Sequence, residues 1–175
     1  MPIIATAGGD GHRTFAPAPL GVHSAVCCDV RDLGLLETTW QGETRTKHKI
    51  LLSWQIAEDR DDGKPWLCSK RYTLSLHEKS ALRKDLESWR GRPFTEAELA
   101  GFDVETIIGV PCLLNITHRS VGDATYANVV GVTPLMKGLV PMRVREYVRW
   151  IDRAPTDTVH DEQPPIDITD SDIPF

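Results

Sequence analysis

The run Lys47-His48-Lys49-Ile50-Leu51-Leu52-Ser53-Trp54-Gln55-Ile56 decides the fold. Ile50, Leu52, Trp54 and Ile56 fall on one parity, and Lys47, Lys49, Leu51 and Ser53 fall on the other. Successive side chains of an extended chain point to opposite faces, so this period of two predicts a half-buried β-strand. Asp59-Arg60-Asp61-Asp62-Gly63 follows and has the composition of a turn. Residues 66–76 then alternate again: Trp66, Cys68, Lys70, Tyr72, Leu74 and Leu76 against Leu67, Ser69, Arg71, Thr73 and Ser75.

Outward from this pair, Val22, Ala25, Val26, Cys27 and Val30 predict a first strand over residues 21–32. Residues 37–46 are polar apart from Trp40 and read as a long loop or hairpin tip around Gly42. Downstream, Leu82, Leu86 and Trp89 have helical spacing, with Gly91 as a stop. Thr95-Glu96-Ala97-Glu98 has the pattern of a capping box for a short helix ending at Gly101. Residues 110–118 and 125–132 predict two further strands around a turn at Val121-Gly122-Asp123. Five strands with a helical segment between the third and fourth is the order of an OB-fold, a partly open Greek-key barrel. An α+β sandwich of the same elements is the alternative.

The expected organisation is therefore an irregular, Gly- and Pro-containing arm at 1–19 and a mainly β domain at 20–136. A basic segment at 137–153, with the residue mix of one amphipathic helix, follows. Residues 154–175 are a linker and an acidic tail, disordered by composition. Residues 156–175 hold six acids and no Lys or Arg, so the rest of the chain is close to neutral despite the overall net charge of −5. Such asymmetry between segments hints at nucleic-acid contact with an appended acidic tail. Cys27, Cys28, Cys68 and Cys112 show no C-x-x-C spacing and are expected to be small buried residues in a reducing compartment. With no signal-peptide pattern and no apolar run near the ~20 residues that span a bilayer, the expected location is the cytoplasm, away from membranes.

Single-stranded nucleic acid is held by a basic groove that tracks phosphates and by rings on which bases stack. The candidate DNA-binding residues are Trp40, Arg45, Lys47, Lys49, Lys70, Arg71, Tyr72 and Arg119. Lys47 and Lys49 share the face opposite the apolar one, and Arg71 shares the corresponding face of the next strand. Trp40 has no apolar periodicity around it, which makes it the exposed stacking candidate. Trp54 and Trp89 follow the apolar pattern of their elements and are expected in the core. Tyr72 keeps company with Leu74 and Leu76, which argues for burial as well. The six histidines make no H-E-x-x-H or Cys/His metal pattern, and neither a phosphate loop nor a nucleophile elbow occurs. No catalytic residue, metal or cofactor is therefore expected.

The chain ends Asp170-Ser171-Asp172-Ile173-Pro174-Phe175. This ending resembles the acidic tip with which bacterial and phage single-stranded DNA-binding proteins recruit replication and repair partners; Ser171 within the acidic run is a departure. The resemblance implies that Asp170, Asp172, Ile173, Pro174 and Phe175 dock on such partners. Separately, residues 70–80, Leu82-Arg83-Lys84-Asp85-Leu86, Trp89-Arg90-Gly91-Arg92-Pro93-Phe94 and Gly109-Val110-Pro111-Cys112-Leu113-Leu114-Asn115 are similar to a phage and prophage family described as single-stranded DNA-binding-like. That likeness spans roughly residues 20–135. Together these imply an OB-fold that binds single-stranded DNA with little sequence preference in phage or bacterial replication, recombination and repair; such proteins often assemble so that several grooves act together, which leaves a homo-oligomer among the open alternatives. Two rivals stand beside it. One is a tail-bearing interaction protein that competes for the same partners without binding DNA, and the other is a nucleic-acid enzyme.

Overall fold

The computed structural model describes residues 16–154. The expectations placed on residues 1–15 and on the linker and tip at 155–175 lie outside the described residues. Strands β1 (Gly21–Trp40), β2 (Glu43–Asp59), β3 (Pro65–Thr73), β4 (Pro111–Val121) and β5 (Ala124–Thr133) form one antiparallel sheet in the order β3-β2-β1-β4-β5. Helices α1 (Ala81–Arg90) and α2 (Glu96–Ala100) lie between β3 and β4 in the chain. The fold is mainly β and the sheet is open. Its edge strands β3 and β5 approach each other, and α1 packs on both, but no ladder joins them.

The alternation in β2 marks the core face. Ile50, Leu52, Trp54 and Ile56 are all buried, against Ala25 and Cys27 of β1, Cys68 and Tyr72 of β3, and Leu114 and Ile116 of β4. Leu82, Leu86 and Trp89 bring the apolar face of α1 onto this surface, with the Trp54 and Trp89 rings 6.2 Å apart. Burial of each such side chain is worth about 1.5–3 kcal/mol. Trp89 also donates from Nε1 to the Pro111 carbonyl at 3.0 Å. The Ser80 hydroxyl caps α1 by accepting from the Arg83 amide, and Gly91 ends the helix at φ 68°, a left-handed conformation that glycine adopts without a Cβ clash. Thr95 and Glu98 make both halves of the capping box of α2. The Arg92 guanidinium, then the Thr95 amide and Arg90, hold the Glu98 carboxyl well below the usual carboxylate range.

Two local readings differ from the structure, and between them one open alternative is decided. β1 does not stop near residue 32 but runs to Trp40, bending at bulges between Cys27 and Asp29 and between Asp32 and Gly34. Of the two readings of residues 37–46, the hairpin tip is the one observed and the long loop is not. These residues form a hairpin whose two turn residues, Gln41 and Gly42, have φ of 49° and 80°. Positive φ at both positions matches the twist of the flanking strands. Residues 137–153 are not an amphipathic helix; a single 3-10 turn, Trp150–Asp152, is their only regular element. From Arg145 to Trp150 they are fastened to the outer face of the sheet as a strap instead.

The strap explains why the outward parity of β2 is covered in its centre. Gln55 is 2% exposed, and its side chain mimics a strand neighbour. Its Nε2 donates to the Arg145 carbonyl at 2.6 Å, and its Oε1 accepts from the Arg145 amide at 2.8 Å. The Arg145 guanidinium pairs with Asp59. Asp29, also 2% exposed, accepts from the Tyr147 hydroxyl at 3.0 Å, Arg149 Nε at 3.3 Å and the Trp150 amide at 2.7 Å. Arg149 reaches on to Glu105 at 2.5 Å. A helix would have spent the Arg145 and Trp150 backbone groups on itself.

None of the four cysteines is in a disulfide, and all are buried. Burial pushes the Cys27 and Cys68 thiols up to about 12 and raises Cys112 further. The thiolate is the reactive species. A thiol reagent at pH 8 is therefore expected to label none of the four in the native protein and all four in denaturant; rapid native labelling would contradict this packing.

Candidate nucleic-acid interface

Cross-strand partners share a face of a sheet, so the register shows which candidate residues stand together. Past His48 the β1–β2 hairpin extends beyond both β3 and β4 as a two-stranded ribbon. Its pairs Trp40↔Glu43, Thr38↔Arg45, Leu36↔Lys47 and Gly34↔Lys49 occupy one face. That face continues onto the outer surface of the sheet through Lys49↔Thr73 and through the row Arg71, Leu51 and Arg31. The register thus brings Trp40, Arg45, Lys47, Lys49 and Arg71 into one stripe. Trp40 is 51% exposed at its tip. Arg45 pairs with Glu43 at 2.8 Å, and Lys49 donates to the Thr73 hydroxyl at 2.9 Å. Farther along, the Ser53 and Ser69 hydroxyls meet at 2.8 Å.

Three candidates stand elsewhere. Lys70 pairs with Leu52 on the core-facing parity, and its ammonium is 2.7 Å from Asp85 on α1. Tyr72 is buried, with its hydroxyl donating to the same carboxylate at 2.6 Å. Burial, reinforced by Asp85, pushes the Tyr72 phenol well up. The pair therefore ties β3 to α1 and does not line the stripe. Arg119 belongs to β4, opposite Tyr126, and not to a loop. The β1–β4 ladder runs only from Val26 to Gly21, with Gly21 opposite Ile116, so Arg119 stands past the end of β1 remote from Trp40. His118, its neighbour, holds the Ala18 carbonyl at 2.7 Å.

Sequence reasoning missed Arg31. Its row is set by the bulge at Cys28, which shifts the parity of β1, and a bulge leaves no mark in an apolar pattern. It also missed Asp29, whose burial depends on residues about 120 positions later.

Among the described residues no group of three His, Cys, Asp or Glu side chains is placed to hold a metal ion, and no helix is long and apolar enough to cross a membrane. No protein-family model matches the chain. A search of curated proteins likewise returns no match. The class that the fold and stripe define is a mainly β protein with an aromatic-tipped basic ribbon.

Proposed function

We propose that this chain is a single-stranded DNA-binding protein of the OB-fold type with little sequence preference. The observation that carries the proposal is the common face of Trp40, Arg45, Lys47, Lys49 and Arg71. A row of cations can follow successive phosphates, while an exposed indole offers a base a surface to stack on. The strand order supports the OB-fold part: β3 and β5 are the two edges, and their pairing would close a five-stranded Greek-key barrel. In this reading the stripe holds DNA, and Asp170, Asp172, Ile173, Pro174 and Phe175 recruit replication, recombination and repair proteins in the bacterial or phage-infected cytoplasm.

Fluorescence polarisation of labelled oligo-dT and the matching duplex, across a salt series, tests this. Binding should favour the single strand, with log K falling by about 0.7 per phosphate neutralised for each unit of log salt. Trp40→Ala should cost ~1–3 kcal/mol if the ring stacks on a base. Equal binding to both forms, or none by folded protein, would overturn the proposal. The second outcome would favour an interaction protein that acts through its tip alone. The positions of Lys70, Tyr72 and Arg119 away from the stripe are what that rival has in its favour.

A further inference from the structure

We infer that Arg31, held flat by Trp150, is a phosphate-contacting residue of the same site, and that the strap is a fixed part of that site and not a lid over it. The inference rests on the DNA-binding reading and names a residue pair for it. Arg31 lies in one cross-strand row with Leu51 and Arg71, next to the row of Lys49 and Thr73. Its guanidinium sits 3.4 Å from the centroid of the Trp150 ring. No hydrogen bond or ion pair to a described residue engages it, in contrast to Arg145 and Arg149 on the strap, which are matched to carboxylates. Stacking fixes the plane of a guanidinium and leaves its edge N–H groups for a planar or tetrahedral oxyanion. An arginine pre-oriented in this way loses less side-chain freedom when it binds a phosphate than an arginine swinging in solvent.

Electrostatics separates a fixed strap from a lid. Lifting the strap would uncover Asp29 and leave Asp59 and Glu105, both already exposed, without the arginines that now pair with them. A face opened in that way would repel phosphate. With the strap in place the carboxylates are matched, and residues 137–153 carry five Lys and Arg against Glu146 and Asp152. The buried hydrogen bonds of Gln55 and Asp29 hold it there. Arg31 therefore marks the point where the stripe meets the strap, and Trp150 is its positioning residue.

The test is oligo-dT polarisation across a salt series with Arg31→Ala, Arg31→Lys, Trp150→Ala and the double variant, all in the full chain. Arg31→Ala should weaken binding about tenfold, as expected for one charge-assisted contact, and lower the salt slope by about 0.7. Arg31→Lys should keep the slope and recover only part of the affinity, because an ammonium does not stack or fork. Trp150→Ala should weaken wild type several-fold but add little in the Arg31→Ala background, a coupling that a general loss of stability would not produce. Salt-sensitive binding by wild type that Arg31→Ala leaves unchanged in affinity and slope would overturn this inference and leave the DNA-binding reading standing. So would tighter binding by Trp150→Ala, the signature of a lid. Failure of wild type to bind would remove both.

Discussion

Replacing Lys47, Lys49 and Arg71 together by alanine is expected to weaken oligo-dT binding by roughly three orders of magnitude at low salt. Each lost charge-assisted contact is worth about tenfold, and the three residues lie on adjacent rows of one face. The salt slope should fall by about 2, close to three times the single-strand value per phosphate. Single variants need not multiply to the triple, because neighbouring cations share one strand of phosphates. Lys79→Ala with Lys84→Ala is the matched control, since both residues are exposed on or beside α1, away from the stripe. A triple variant that melts like wild type and keeps wild-type affinity and slope would show that the stripe is not the DNA surface.

Asp29→Ala should be the most damaging single change on the outer face, costing about 2–4 kcal/mol in urea unfolding. It removes one acceptor from three strap donors and leaves the Trp150 amide and the Tyr147 hydroxyl without their buried partner. Arg149 keeps Glu105, so its charge is not stranded and the cost stays below that of breaking an isolated buried pair. Asp29→Asn keeps the shape and an acceptor for Trp150, and should cost roughly half as much. Brief trypsin treatment gives a second readout. Arg143, Arg145, Arg149 and Arg153 should be cut faster in Asp29→Ala than in wild type as the strap comes away. Unchanged stability and an unchanged cleavage pattern would mean that Gln55 and Asp59 alone hold the strap.

Lys47, Lys49 and Arg71 were already candidates in the sequence, whereas the fastening of the strap at Asp29 was the least legible part of the molecule. The period of two in residues 47–56 identified the core face of β2 without error, because alternation reports which side of a strand meets apolar neighbours. The stop at Gly91 and the capping pattern at Thr95 were equally readable, because each is satisfied within a few residues. The opposite parity of β2 was different. Leu51, Ser53 and Gln55 look like a solvent face, yet all three are buried, with Arg145 hydrogen-bonded to Gln55 and Tyr147, Arg149 and Trp150 to the neighbouring Asp29, and nothing within a ten-residue window announces that. Lys70 shows a related conflict. Its parity grouped it with Trp66, Cys68 and Tyr72, while its charge suggested a groove, and the structure follows parity because Asp85 on α1 supplies the partner.

What the sequence determined by itself is what depends on neighbours along the chain: five extended segments, which face of the central one is apolar, and two helix ends; of its eight candidate residues, the register brought Trp40, Arg45, Lys47, Lys49 and Arg71 into one stripe and left Lys70, Tyr72 and Arg119 outside it. What only the tertiary structure decided depends on partners far apart in the chain. It extended β1 into a ribbon, shifted the row of Arg31 by a bulge, took Lys70 and Tyr72 for the α1 contact, and turned a basic segment into a strap fastened at Asp29. A buried polar group must find its partner wherever the fold brings one, and local periodicity carries no record of that choice.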